Sequence, residues 1–199
     1  MKVIFLDRDG VINKYPGDTK YVTDWAEFEF LPDALESISK LTENDFKIFI
    51  ISNQAGVSKG IYNQQKLDEI TSNMLKEVEK KSGKIQRVLY CIHKDEDNCY
   101  CRKPKTGLIK KAIDSLGLKR FNFNYSYFIG DSMRDIKTGR TAGCKTILVF
   151  SGKEKKENKD NWEIKPDYEA TNLLEAVNII LNENPHNSCH GRSRPSQGS

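Results

Sequence analysis

The chain has 199 residues, enough for one domain with its own hydrophobic core and no need of disulfide bonds. Its 32 lysine and arginine residues exceed its 28 aspartate and glutamate residues by four, and both signs are scattered along the chain. This pattern argues against a dedicated nucleic-acid surface, and no apolar run approaches the roughly 18 residues of a membrane span. We expect a cytoplasmic monomer that binds a small molecule and neither nucleic acid nor membrane.

Strands and helices alternate along the predicted domain. Apolar runs predict buried strands over residues 2–6, 47–52, 87–91, 127–130 and 145–150. Apolar residues at helical spacing predict helices that begin near residues 32, 64, 106, 131 and 171. This order favours the α/β class, with a doubly wound, mostly parallel sheet covered by helices on both faces. Lysine-rich residues 152–159 predict a solvated loop, and residues 184–199 predict a disordered tail after a domain of residues 1–183.

Two pairs of aspartates follow predicted strands. Asp7 and Asp9 come directly after the first strand in the turn DRDG, and Asp131 and Asp135 follow the fourth strand in GDSMRD. Open α/β sheets carry their ligands at the carboxyl ends of the strands, so these side chains are expected to meet there. Magnesium prefers oxygen ligands and keeps waters that phosphate replaces. The sequence therefore predicts a Mg²⁺ site for a phosphate ester.

Further polar residues follow the second and third strands. Ser52 and Asn53 offer hydroxyl and amide groups to phosphate oxygens, and Arg102 and Lys103 add positive charge. The motifs run in the order strand-DxDG, strand-SNQ, a loop with RKP and strand-GDxxxD. In this order and structural context the chain resembles the haloacid-dehalogenase-like (HAD) phosphatases. The resemblance implies a Rossmann-like sheet and hydrolysis of a phosphate ester.

The resemblance also implies a role for each acidic residue. Asp7 is the expected nucleophile, which attacks phosphorus and forms an aspartyl-phosphate. Asp9 is the expected general acid for the leaving oxygen and then the general base for the attacking water. Magnesium would be held by the carboxylates of Asp7 and Asp131 and the backbone carbonyl of Asp9.

The same resemblance assigns the basic and hydroxyl residues. Ser52 is the expected phosphate-binding hydroxyl, and Lys103 is expected to neutralise charge on the transferring phosphoryl group. Lys105 is the alternative for that role, but Lys103 follows Arg102 directly and matches the family's Arg-Lys-Pro sequence. Asp135 is expected to orient Lys103 by a charged hydrogen bond.

Four residues of metal-binding types lie within eleven residues, beginning at the end of the third strand. They are Cys91, His93, Cys99 and Cys101. Three thiolates and one imidazole are the ligand set of a tetrahedral structural Zn²⁺ site. Such a site has no open position for water, so the predicted zinc is structural. The alternative is that Cys91 is a thiol of the strand core and the other three are incidental surface residues.

The motifs DRDG, SNQAG, CxH…CxCRKP and GDSMRD together are similar to those of the D,D-heptose 1,7-bisphosphate phosphatases and the related histidinol-phosphate phosphatases. This likeness runs from residue 1 to about residue 180. It implies three short inserts, roughly residues 12–27, 55–62 and the zinc loop 91–101, in place of a large cap domain. Lys59 in the second insert is a candidate ligand for a second phosphate or a sugar hydroxyl, or else an exposed lysine with no such role.

Three functions follow from these observations. The first is removal of the C7 phosphate from a heptose 1,7-bisphosphate, a step toward the heptose of surface glycans such as lipopolysaccharide. The second is the same chemistry on histidinol phosphate. The third, of another class, is a non-catalytic, zinc-stabilised interaction protein. Arg102 and Lys59 suit a second phosphate better than the ammonium group of histidinol phosphate, which favours the first function.

Overall fold

Six strands form one sheet in the computed structural model, which describes residues 1–118 and 120–184. They are β1 (Val3–Leu6), β2 (Lys47–Asn53), β3 (Ile85–Cys91), β4 (Ser126–Gly130), β5 (Lys145–Val149) and β6 (Tyr168–Ala170). Their order is β3-β2-β1-β4-β5-β6, and every pairing is parallel. The predicted α/β class with a parallel sheet is confirmed.

Helices cover both faces of the sheet. They are α1 (Ala34–Glu43), α2 (Gln64–Lys80), α3 (Gly107–Asp114), α4 (Met133–Ala142) and α5 (Leu173–Glu183). Successive strand residues point to opposite faces, so Ile4 and Leu6 pack with α1, α2 and α5, whereas Val3 and Phe5 pack with α3. Burial on both sides explains why β1 is apolar at every position and β2 is apolar over residues 48–51.

Polar side chains mark where several helices begin. Asn63 accepts a hydrogen bond from the Lys66 N–H at 2.9 Å before α2, and Asn172 accepts one from the Glu175 N–H at 3.0 Å before α5. Each bond satisfies a backbone donor that the first helical turn leaves unpaired. Thr106 precedes α3 in the same way, but its side chain makes no capping bond.

Two elements differ from the prediction. The strand β6 was not expected, and a 3-10 helix at Lys156–Asn161 lies partly within the predicted loop 152–159. Residues 185–199 of the predicted disordered tail lie outside the described residues. Within residues 1–118 and 120–184, no helix combines the length and apolar character that crossing a membrane requires.

The strand order determines where ligands can bind. The chain runs from β1 outward to β2 and β3 on one side and to β4, β5 and β6 on the other. This reversal leaves a crevice beyond the carboxyl ends of the central strands, which is the usual ligand site of open α/β sheets. Asp7 follows β1, Ser52 lies near the end of β2 and Asp131 follows β4, so all three reach this crevice.

Candidate active site

A buried lysine joins two carboxylates at the carboxyl end of the sheet. The Nζ atom of Lys103 lies 2.8 Å from Asp7 Oδ2 and 2.6 Å from Asp135 Oδ1. The alternative residue, Lys105, instead donates hydrogen bonds to the backbone and side-chain oxygens of Asn98 in the cysteine loop. The structure therefore brings Lys103, and not Lys105, to Asp7.

The charges at this point favour a bound cation. Burial raises the pKa of Asp7 to about 6, although the Lys103 ammonium acts in the opposite direction. Burial and the nearby carboxylates of Asp135 and Asp7 hold the pKa of Asp131 well above its ordinary value. Oxygens of these three carboxylates lie within 4.8 Å of one another. Lys103 alone does not balance them, so the residues fit a divalent cation with a preference for oxygen ligands.

Asp131 lies in a narrow space between two glycines. A Cβ atom on Gly10 or on Gly152 would lie 2.0 Å from Asp131 Oδ2. The Lys153 N–H donates to the same oxygen at 2.8 Å, and the Glu154 N–H donates to the Asp131 carbonyl at 2.9 Å. The DRDG turn and the segment after β5 therefore hold the Asp131 carboxylate between them.

Hydrogen-bond donors surround the carboxylate of Asp9. The fully buried Arg8 donates from Nε to Oδ1 at 3.2 Å and from Nη2 to Oδ1 and Oδ2 at 3.0 and 3.1 Å. Asn13 Nδ2 donates to Oδ1 at 2.9 Å, and Gln54 Nε2 donates to Oδ2 at 2.8 Å. Asp9 is still 20% exposed and faces the same cavity as Asp7. Its carboxylate is thus held in place by protein donors on one side and is open to a ligand on the side that faces the cavity.

Three of these partners were missed by the sequence analysis. Arg8 had a signal, because it is a charged residue between two motif aspartates directly after a buried strand. Gln54 also had one, because it is the last residue of the SNQ motif, whereas Asn13 had none, since only the turn after β1 brings it to Asp9.

Ser52 and Asn53 differ in what their side chains contact. Ser52 is buried, and its hydroxyl accepts a hydrogen bond from Gln54 Nε2 at 3.3 Å. Asn53 Nδ2 donates to the Lys103 carbonyl at 3.2 Å, and Asn53 Oδ1 accepts from the Lys103 N–H at 3.0 Å. The hydroxyl proton of Ser52 is thus available to a ligand. The side chain of Asn53, which was predicted to bind phosphate, instead forms hydrogen bonds with the Lys103 backbone.

A cavity of about 290 Å³ opens beside Asp7 and Asp9. Besides Lys103, the basic residues that line it are Lys20, Lys59, Arg102, Arg134 and Lys153. The sequence prediction included Lys59 and Arg102 and missed the other three, which come from separate loops. Five aspartates also line the cavity, and two of them, Asp18 and Asp95, pair with Lys153 and Arg102. The basic side chains still outnumber the carboxylates, so the cavity suits an anion.

The four residues of the cysteine loop converge on one point. The Sγ atoms of Cys91, Cys99 and Cys101 lie 3.3 to 3.6 Å apart, and His93 Nδ1 lies 3.6 Å from Cys91 Sγ and 3.3 Å from Cys101 Sγ. All three thiols are free. This compact group of sulfur and nitrogen atoms fits the tetrahedral ligand set predicted for zinc, where Zn–S distances are about 2.3 Å.

Arg102 connects the cysteine loop to the cavity. Its guanidinium forms an ion pair with Asp95 and donates from Nη1 to the His93 carbonyl at 3.2 Å. The Arg102 side chain is mostly buried, and both Arg102 and Asp95 line the cavity. An ion bound by the four loop residues would thereby fix the position of this basic group.

Comparison with known proteins gives a consistent result. The family described as HAD-hydrolase-like matches residues 100–176. A D-glycero-beta-D-manno-heptose-1,7-bisphosphate 7-phosphatase from Neisseria meningitidis is 35% identical over 92% of this chain and 97% of its own length. A D-glycero-alpha-D-manno-heptose-1,7-bisphosphate 7-phosphatase from Campylobacter jejuni is 35% identical over 89% of this chain and 98% of its own.

A solved structure shows the same likeness in three dimensions. The D,D-heptose 1,7-bisphosphate phosphatase from Bordetella bronchiseptica, determined with magnesium and phosphate, superposes with a TM-score of 0.83. It is 28% identical, and the match covers 92% of this chain and 99% of that one. The two sequence relatives are equally similar to this chain although their names specify different anomers. Sequence identity therefore does not indicate which anomer this chain prefers.

Proposed function

The chain belongs to the heptose 1,7-bisphosphate 7-phosphatase family of HAD-like hydrolases, and we propose that it hydrolyses the C7 phosphate of D-glycero-D-manno-heptose 1,7-bisphosphate. The observation that carries this proposal is the position of Asp7. Its carboxylate lies between Lys103 and Asp131 at a cavity lined by basic side chains. That arrangement suits an anionic nucleophile acting on an anionic substrate.

Each residue has a chemical role in the proposal. Asp7 attacks phosphorus and forms an aspartyl-phosphate, and the Lys103 ammonium stabilises the charge of the transferring group. Asp9 gives a proton to the leaving C7 oxygen and then takes one from the water that releases phosphate. Ser52 directs its hydroxyl to a phosphate oxygen, and Asp135 holds Lys103 in place.

Magnesium would be bound by the carboxylates of Asp7 and Asp131 and by the backbone carbonyl of Asp9. When bound, it supplies positive charge that offsets the repulsion between nucleophile and phosphate. Asp135 belongs to the same carboxylate group, but its oxygens already accept hydrogen bonds from Lys103 and Ser132. In this proposal Asp135 therefore positions Lys103 and does not bind the metal.

Zinc would be bound by Cys91, His93, Cys99 and Cys101. These four ligands fill a tetrahedral shell and leave no place for a reactive water, so the ion is structural. Through the His93 carbonyl, an ion held there would fix Arg102, which we assign to the second phosphate of the substrate together with Lys59. The cytoplasmic location and monomeric state expected from the sequence stay predictions.

The direct test is phosphate release with Mg²⁺ from both anomers of heptose 1,7-bisphosphate, fructose 1,6-bisphosphate and histidinol phosphate. We expect kcat/KM for one heptose anomer to exceed the values for fructose bisphosphate and histidinol phosphate by about a hundredfold. A preference for histidinol phosphate would instead indicate a histidinol-phosphate phosphatase. No release from any substrate would support the non-catalytic function instead.

The pKa of Asp7 leads to a pH-dependent response to magnesium. A carboxyl group with a folded pKa of about 6 and an unfolded value near 4 prefers its protonated form in the folded protein. It therefore destabilises the metal-free protein as pH rises through this window, and Mg²⁺ relieves that cost. We expect Mg²⁺ to raise Tm more at about pH 7.5 than at about pH 5, measured by thermal unfolding. An equal increase at both values would contradict Asp7 as a ligand.

Replacing Gly152 by alanine should weaken magnesium binding. The new Cβ would lie 2.0 Å from Asp131 Oδ2, so the carboxylate must move. We expect Kd for Mg²⁺, measured by titration calorimetry, to rise by about tenfold or more. Lys153→Ala is the matched control, because it removes a neighbouring side chain but keeps the N–H that holds Asp131. Equal affinities for wild type and Gly152→Ala would refute this account of the site.

A further inference from the structure

A tyrosine outside the cavity is linked to Asp9 through one amide. The Tyr62 hydroxyl donates to Gln54 Oε1 at 2.7 Å. Gln54 Nε2 then donates to Asp9 Oδ2 at 2.8 Å and to Ser52 Oγ at 3.3 Å. Gln54 and Tyr62 are 1% and 7% exposed, and neither lines the cavity. The hydrogen bonds of the Gln54 amide therefore link Tyr62 to Asp9 and Ser52.

The chemistry of these groups allows one orientation of the Gln54 amide. Gln54 Nε2 lies against Asp9 Oδ2, which also accepts from Arg8, so the NH₂ group of Gln54 faces Asp9 as one donor among several. The Gln54 carbonyl then faces Tyr62, whose hydroxyl must donate. Burial raises the pKa of Tyr62, so this hydroxyl keeps its proton near neutral pH. A flipped amide would instead place its carbonyl oxygen against the Asp9 carboxylate.

We propose that Tyr62 is a positioning residue for the reaction, which directs the protons of Asp9 and Ser52 into the cavity by fixing the Gln54 amide. The inference rests on the proposed function, in which Asp9 is the general acid. Among residues 1–118 and 120–184, the partners of the Asp9 carboxylate are all donors, namely Arg8, Asn13 and Gln54. A proton on Asp9 therefore has no acceptor among them and is directed toward the leaving oxygen.

Ser52 follows the same logic. Because its hydroxyl oxygen accepts from Gln54, its own proton is directed elsewhere, and the cavity is where a phosphate oxygen would accept it. A flipped Gln54 amide would offer an acceptor to both residues and draw their protons into the protein interior. Tyr62 anchors the amide in the unflipped position by donating to the Gln54 carbonyl, and without this hydroxyl that buried oxygen loses its partner.

The second insert holds the Tyr62 ring independently of its hydroxyl. A Cβ atom on Gly56 would lie 2.3 Å from Tyr62 Cε1, so the glycine lets the backbone pass close to the ring. The Tyr21 ring packs on it with centroids 6.2 Å apart. Tyr62→Phe therefore removes the hydrogen bond and keeps the packing, which makes it a clean test.

The experiment is a double-mutant cycle of Tyr62→Phe and Gln54→Leu, with kcat and KM measured on the preferred heptose bisphosphate in the presence of Mg²⁺. We expect Tyr62→Phe to lower kcat about five- to tenfold while KM changes less than about twofold. In the Gln54→Leu background the same change should alter kcat by less than about twofold, because Tyr62 acts through Gln54.

Tyr127→Phe is the matched control. Tyr127 is also buried, and its hydroxyl donates to Glu183 at 3.0 Å, but it lies in β4 away from the site, so kcat should be unchanged. An unchanged kcat in Tyr62→Phe, or an equal loss in both backgrounds, would overturn the inference and leave the proposed function standing. Failure of the wild-type protein to release phosphate would overturn both.

Discussion

Asp7→Asn is expected to abolish phosphate release, with kcat at least about a thousandfold below that of the wild type. An amide oxygen is a poor nucleophile and cannot form the aspartyl-phosphate. The fold should survive, because Lys103 keeps its 2.6 Å contact with Asp135 when the charge on residue 7 is removed. The substitution also removes a carboxylate whose burial is unfavourable, so we expect Tm in the absence of metal to stay level or rise.

The measurement combines steady-state phosphate release with thermal unfolding of the same preparation. Asp68→Asn is a suitable control, because it makes the same isosteric change on the exposed side of α2, where the side chain only accepts from Gln64. It should retain wild-type kcat. Residual activity above about one per cent in a folded Asp7→Asn protein would show that another group attacks phosphorus.

Loss of one cysteine ligand should have the largest effect on stability. In Cys99→Ser we expect bound zinc, measured by atomic absorption, to fall from about one ion per chain to nearly none. Tm should fall by about 10 °C, because metal binding contributes directly to folding. KM for the bisphosphate should rise about tenfold, since Arg102 is anchored to the His93 carbonyl of this loop. The value of kcat should change less, because Asp7 and Asp131 lie outside the loop.

Cys144→Ser separates zinc binding from the general cost of altering a buried thiol. Cys144 is 6% exposed and packs in the same apolar cluster as Cys91 and Cys101, but it is not part of the four-residue group. This variant should keep its zinc and its KM. If Cys99→Ser also kept its Tm, or if the pure wild-type protein contained no zinc, the structural-zinc proposal would be wrong.

Local patterns were sufficient for most of the fold. The runs KIFIIS and SYFIG have apolar side chains on both faces, which fits strands covered by helices, and the structure places them in β2 and β4. The segment β6 could not be found in this way. Tyr168–Ala170 has three residues and no apolar run, and it becomes a strand only by pairing with β5, where Ile147 lies opposite Tyr168.

The sequence by itself determined the α/β class, the aspartates at the strand ends and the compact cysteine-histidine group, because each depends on residues close together in the chain. Tertiary structure decided which side chains meet. The packing of the loops on the sheet places Lys103, which the Arg-Lys-Pro sequence already favoured over Lys105, against Asp7. Only this packing assigns the Asn53 side chain to the Lys103 backbone and brings Gln54 to Asp9. Such contacts join residues about 45 to 100 positions apart, where no local spacing predicts how side chains orient. The physical reason is that the strand order sets these distances, and that order results from the burial of the whole sheet between its helices.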